Sequence, residues 1–169
     1  MINTDSIKKE IKSAFKDATF PTHLGIRAAE VIDDWVSDPE VLKEITKKED
    51  FKGNWWDIPE EHISGNGLGF NYLDSEGIEY YLPAFMTLAI EKPIYKNLNT
   101  LLYALDPGYN DDEVDLYKHY CDRFSRVKGK RKEVTFKFLH YLREQLEIIS
   151  IYDLEHINKV IAHDYWQTK

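Results

Sequence analysis

Leu73-Asp74-Ser75-Glu76-Gly77-Ile78-Glu79-Tyr80-Tyr81-Leu82-Pro83-Ala84-Phe85, continued by Met86-Thr87-Leu88-Ala89-Ile90, is the stretch that decides the fold class. Ile78, Leu82, Phe85, Ala89 and Ile90 fall at i, i+4, i+7, i+11 and i+12, the spacing of one helical face. Asp74 or Ser75 can cap the start. Pro83 lies inside the pattern and removes the bond to the carbonyl of Glu79, so a kink is expected there.

Helical spacing recurs on both sides. Upstream, Ile7, Ile11, Ala14 and Phe15 mark a helix that starts at Thr4 or Asp5, with Phe20-Pro21 as its stop. Ala28, Val31, Ile32 and Trp35 mark a second over residues 26–36. Asp38-Pro39-Glu40 reads as N-cap, N1 and N2 of a third, which carries Val41, Leu42 and Ile45. Downstream, Leu98, Leu101, Leu102 and Leu105 predict a helix stopped by Asp106-Pro107-Gly108. Asn110 to Glu113 has capping-box spacing and opens a helix with Val114, Tyr117, Cys121 and Phe124 on one side. Val134, Phe138, Leu142, Leu146 and Ile149 mark the next, and Leu154, Ile157, Val160, Ile161 and Tyr165 the last.

Residues 50–73 are the least regular part. Gly53, Pro59, Gly65, Gly67 and Gly69 break long periodicity, while Phe51, Trp55, Trp56 and Ile58 supply anchors. An ordered loop with a helical turn near 59–63 is expected. Leu68, Phe70 and Tyr72 alternate with Gly69 and Asn71 in a strand-like way. The fold class is therefore mostly α: a single-domain multi-helix bundle over residues 1–169, with an irregular Trp/Gly-rich loop and at most a short β-hairpin. No repeat or inter-domain linker interrupts it.

The 169 residues suffice for a core without staples. The chain is 43% hydrophobic and 14% aromatic, which excludes a disordered composition. One cysteine, Cys121, excludes an internal disulfide and a cysteine-based zinc site. The opening residues lack the apolar stretch of a signal peptide, and no run reaches the length of a membrane span, so a cytoplasmic setting is expected. The net charge of −8 disfavours nucleic acid and anionic membranes and suits a basic protein partner.

Several stretches resemble one family. Phe51-Lys52-Gly53-Asn54-Trp55-Trp56-Asp57-Ile58 is similar to its Trp-bearing loop. Residues 73–85 resemble its central block, a capped helix running into Tyr-Leu-Pro-Ala. Arg123-Phe124-Ser125 with Phe138-Leu139-His140-Tyr141-Leu142, and the closing Asp164-Tyr165-Trp166, fit its C-terminal part. The family comprises small bacterial proteins known only as a domain of unknown function. The resemblance implies a bacterial, mostly α domain and no particular activity. The chain departs from the family where a helix-starting Leu-Thr-x-x-Gln-like segment would lie; Val127-Lys128-Gly129-Lys130-Arg131 stands there instead.

Candidate chemistry is sparse. Asp115, His119 and Asp122 share a helical face and could hold a divalent metal, but a solvated face predicts the same residues. His156 and His163, seven apart, supply two ligands at most. Cys121 sits at an apolar position, where cysteine behaves as a small hydrophobe. Gly65, Gly67 and Gly69 lack the flanking strand and helix start of a phosphate cradle. Asp106, Asn110, Asp111, Asp112, Glu113 and Asp115 are wrongly spaced for a calcium loop and are better explained by capping. No cofactor or metal is called.

Three readings of function follow. The first is a non-catalytic protein-binding domain, of immunity or antitoxin type, that inhibits a basic partner such as a toxin. The second is an enzyme of unrecognised type whose site lies around Trp55, Trp56, Asp57, Glu60, Glu61 and His62, where carboxylates, an imidazole and aromatic walls coincide. Tyr80 and Tyr81 of the central block are further candidate binding residues. The third uses the basic patch Arg126, Lys128, Lys130, Arg131 and Lys132 to contact an anion, a partner or nucleic acid. That patch holds five of the 22 cationic residues, leaving 17 against 30 acidic ones elsewhere, so charge is segregated. Nucleic acid ranks last, because no base-stacking motif accompanies the patch. The balance favours the binding domain.

Overall fold

The computed structural model describes residues 2–65, 68–93, 95–108, 114–145 and 151–167. Helices are the regular structure among them: α1 (Thr4–Ala14), α2 (Ile26–Ile32), α3 (Pro39–Glu49), α4 (Glu60–Ser64), α5 (Ser75–Glu91), α6 (Tyr95–Leu105), α7 (Val114–Arg123), α8 (Lys130–Glu144) and α9 (Ile151–Ala162). Short 3-10 turns occupy Trp55–Asp57 and Leu68–Tyr72. No strand occurs among the described residues.

The axis of the fold is α5. Its Asp74 cap accepts from the Gly77 N–H at 2.9 Å. The helix runs unbroken through Pro83 and buries nearly its whole circumference, as expected of a helix apolar all round. Around it stand α1, α6 and α7, with α8 laid on α1 and α9 bridging α6 and α8. Ile7, Ile11 and Phe15 of the first segment are fully buried. The C-terminal segment is tied down from within. Buried Trp166 donates its indole N–H to the Leu105 carbonyl at 2.8 Å, and Tyr120 donates its hydroxyl to the same oxygen at 3.1 Å. An α6 C-terminal carbonyl that its own helix leaves open is thereby satisfied twice.

Several boundaries differ from expectation. α1 ends at Ala14, six residues before Phe20, because Phe15 leaves helical geometry to turn into the core. α2 stops at Ile32, so Trp35 is no part of its stripe; Trp35 takes a left-handed backbone with φ 64°. The Leu68–Tyr72 alternation forms a 3-10 turn rather than a strand. Gly69 and Phe70 face inward there, and a Cβ on Gly69 would stand 2.6 Å from the Ile26 carbonyl. α7 and the turn that follows it bring Tyr120 and Phe124 into the core and leave Tyr117 and Cys121 half-buried. The Asn110–Glu113 capping box, Gly67, Leu146 and Ile149 lie outside the described residues.

Candidate functional site

The Trp-bearing loop closes one end of an open groove of about 460 Å³ between α1, α4 and α5. Trp55 is its anchor: the indole is buried and donates to the Phe15 carbonyl at 2.9 Å. Trp56 crosses Trp55 edge-on at 5.5 Å and remains 37% exposed, with the Lys12 ammonium 4.6 Å above its ring. Ile58, Ile63, Ala84 and Leu88 form an apolar floor. Lys8, Lys9 and Lys12, at i, i+1 and i+4 on α1, form a cationic wall. Lys8 pairs with Glu91, and Lys92 with Glu60, so α1 is stapled to α5 and α5 to α4.

Of the six loop residues expected to share a site, this groove gathers Trp55, Trp56 and Glu60. Asp57 faces solvent and accepts from the Asn54 amide at 2.9 Å. Glu61 is exposed, and His62 points into the protein. There it meets Asp50, with Nε2 3.1 Å from Oδ1. The Phe51 N–H lies 3.4 Å from the same nitrogen and would need the other tautomer, so the shorter carboxylate contact defines the pair. Tyr81 donates to the same Oδ1 at 3.2 Å, and the Arg27 N–H, in the first turn of α2, donates to it at 3.1 Å. Thr46 joins α3 to this knot, accepting from the Gly25 N–H at 2.9 Å. A Cβ on Gly25 would lie 2.0 Å from Asp50 Oδ2, so only glycine lets the α2 start close over that oxygen. Burial, then the Asp50 charge, push the Tyr81 phenol far above its ordinary range. Tyr80 is likewise raised by burial and donates to the Gly53 carbonyl at 3.1 Å. Aspartate, imidazole and phenol could relay a proton, but here they are sealed away and bind α2, α3, α4 and α5 together.

The basic patch is divided. Arg131 pairs with buried Glu79 and reaches Asp17 at 3.0 Å; Arg126 reaches Glu79 at 3.1 Å and Glu76 at 3.0 Å. These guanidiniums hold the α7–α8 corner to α5 and are not available as an anion site. Lys132 lies over the Tyr165 ring at 4.9 Å. Lys128 and Lys130 are exposed. Sequence reasoning passed over Arg123, whose guanidinium donates to the Leu73 and Phe70 carbonyls, each at 2.8 Å, and so fixes the entry to α5. Its place beside Phe124 in the Arg-Phe-Ser block was the available signal.

Near α9, Asp106 receives Lys159 at 2.9 Å and the Gly108 N–H at 2.9 Å. His156 Nε2 lies 3.2 Å from the same carboxylate but off the line of a good hydrogen bond, so Lys159 is the firmer partner. Burial opposes ionisation of Asp106, yet these cationic and donor neighbours outweigh it and hold its carboxyl well below the usual range. His163 faces elsewhere, accepting from the Tyr165 N–H at 3.0 Å. Asp115, His119 and Asp122 are all exposed. No group of three metal-ligating side chains forms among the described residues.

A different surface stands open. Trp35, in the link leading to α3, is 91% exposed. The helix it leads into is capped by Asp38, as the sequence indicates, with Asp38 accepting from the Glu40 and Val41 N–H groups. Of its residues only Thr46 is buried; Val41 is 45% exposed and Leu42 and Ile45 half-buried. A shallow cleft of about 400 Å³ follows the helix, lined by Asp38, Glu40, Val41, Glu44, Ile45, Lys48 and Glu49. Its one lysine pairs with Glu44 at 3.2 Å. The cleft is thus apolar at its centre and acidic at its rim.

No curated protein and no solved structure matches the chain. One family does, over residues 3–169, nearly the whole length. It bears out the expectation of a family of unknown function: the chain belongs to DUF6714, a family of unknown function.

Proposed function

We propose that the protein is a non-catalytic, cytoplasmic protein-binding domain of bacterial immunity or antitoxin type, which occludes a basic partner through Trp35 and the acidic face of α3. The observation that carries this reading is Trp35: a large aromatic side chain, 91% exposed, on a left-handed backbone. A bulky residue in that region of φ/ψ costs about 1–2 kcal/mol and gains nothing from burial. Exposed tryptophans supply the anchors of protein interfaces. Asp33, Asp34, Asp38, Glu40, Glu44 and Glu49 surround or follow it, which suits lysine- and arginine-bearing segments. The chain's net charge of −8 would steer such a partner in.

The buried clusters favour binding over catalysis. Asp50 Oδ1 is shared by His62, Tyr81 and the Arg27 N–H, and Glu79 is shared by Arg131 and the half-exposed Arg126, so these charges are engaged within the fold. For the cytoplasmic setting, no helix among the described residues is long and apolar enough to cross a membrane.

Affinity capture from native lysate at low and high salt tests the reading. A single stoichiometric basic protein, weakened by salt, is the expected result. Absence of any stoichiometric partner at low salt overturns it.

A further inference from the structure

We infer that the groove between α1, α4 and α5 is a second, separate binding site, for a small organic carboxylate with an apolar body. It shares no residue with the α3 face. Its volume of about 460 Å³ falls within the range of small-molecule sites, roughly 300–1,000 Å³. Floor and wall are chemically divided, as such a ligand requires. Ile58, Ile63, Ala84 and Leu88 offer apolar contact, and Trp56 adds a ring face at the rim.

The charges choose the ligand's sign. Glu91 and Glu60 line the groove but are each already paired, with Lys8 and Lys92. Lys9 is exposed and lies in no ion pair among the described residues. Lys12 rests on the Trp56 ring rather than on a carboxylate. Asp5, at the start of α1, is the one further acid in the lining. The uncommitted charges are thus two ammoniums against one carboxylate, in a chain that is otherwise strongly acidic. A carboxylate set between Lys9 and Lys12 gains charge-assisted hydrogen bonds, while its hydrocarbon body covers the floor. Lys12 would then exchange its cation–π contact for a shared one, with the ligand body against the indole.

Decanoate below its micelle concentration, titrated into the full chain and followed by calorimetry and tryptophan fluorescence, tests the site. Saturable one-to-one binding with a change in tryptophan emission is expected. The Lys9→Gln/Lys12→Gln double variant changes only exposed side chains. It should bind decanoate roughly tenfold more weakly, a loss equivalent to ~1.4 kcal/mol, and lose discrimination against neutral 1-decanol. Ala84→Trp should block both ligands; if that variant fails to fold, Thr87→Trp at the same lining serves. No saturable binding, or equal affinity in the double variant, overturns the site. Neither result touches capture of a partner by the α3 face.

Discussion

α5 and α3 begin alike and end differently. Each opens on an aspartate cap, Asp74 and Asp38, whose carboxylate meets a backbone N–H of the first turn. α5 then carries apolar residues on every side and is enclosed by α1, α6 and α7. α3 carries a narrow apolar strip between charged residues, packs chiefly on α2, and buries only Thr46. A cap determines where a helix starts, and the angular width of its apolar face determines how far it sinks. A helix held on one side leaves Val41 exposed and Ile45 half-buried. Charged groups differ as well. On α5 the Glu79–Arg131 pair is largely buried and the Lys8–Glu91 and Lys92–Glu60 pairs lie at the surface, whereas the carboxylates along α3 all face water.

The contrast breaks hardest at Asp50, which ties the outer layer to the inner. Asp50→Ala removes one carboxylate from three buried donors and should cost about 3–5 kcal/mol in denaturant unfolding. A loss under about 1 kcal/mol would mean that the knot is incidental. Glu79→Ala strands Arg131, whose side chain is 16% exposed, and should cost about 2–3 kcal/mol. Reversing Glu44, whose pairing with Lys48 is exposed, should change stability by less than about 1 kcal/mol.

Acid should sharpen the contrast as well. The Asp106 carboxyl titrates lower in the folded chain than its ordinary value of 3.8. Its contribution is therefore present above that value and is lost as pH falls through the folded one. Asp106→Asn should lower stability at neutral pH and flatten the decline below about pH 4. Equal pH slopes in the two proteins would contradict that assignment. One further effect has the opposite sign. Trp35→Gly relieves a left-handed tryptophan and should stabilise the chain by about 0.5–1 kcal/mol, while removing the anchor of the α3 face.

Caps and stops were legible because they are local. Asp38-Pro39-Glu40, Asp74 and Asp106-Pro107-Gly108 each act within four residues. Membership in a family of unknown function was legible as well. Trp35 misled because its spacing continues the α2 stripe, and spacing carries no information about where the backbone reverses. Leu68-Gly69-Phe70-Asn71-Tyr72 misled because a five-residue alternation suits a strand and an inward-turned 3-10 coil equally well; the close approach of Gly69 to α2 decides it. The candidate residues of the loop scattered for a related reason. Trp55, Trp56 and Glu60 line the groove while His62 turns to Asp50, since a short helix sends successive side chains to different faces. Asp50 meets Tyr81 across 31 positions, and Arg131 meets Glu79 across 52. No periodicity reports such pairs, so the arginines of the basic patch read as free when both are held by carboxylates of α5.

The most direct measurement is capture from native lysate by three forms side by side: the wild-type chain, Trp35→Gly, and Glu40→Lys/Glu44→Lys. The α3 face as a docking surface predicts one stoichiometric basic protein on the wild type, and its loss on both variants, with each variant folded and Trp35→Gly no less stable. Retention of the same protein by both variants would contradict it and place the contact elsewhere on the surface.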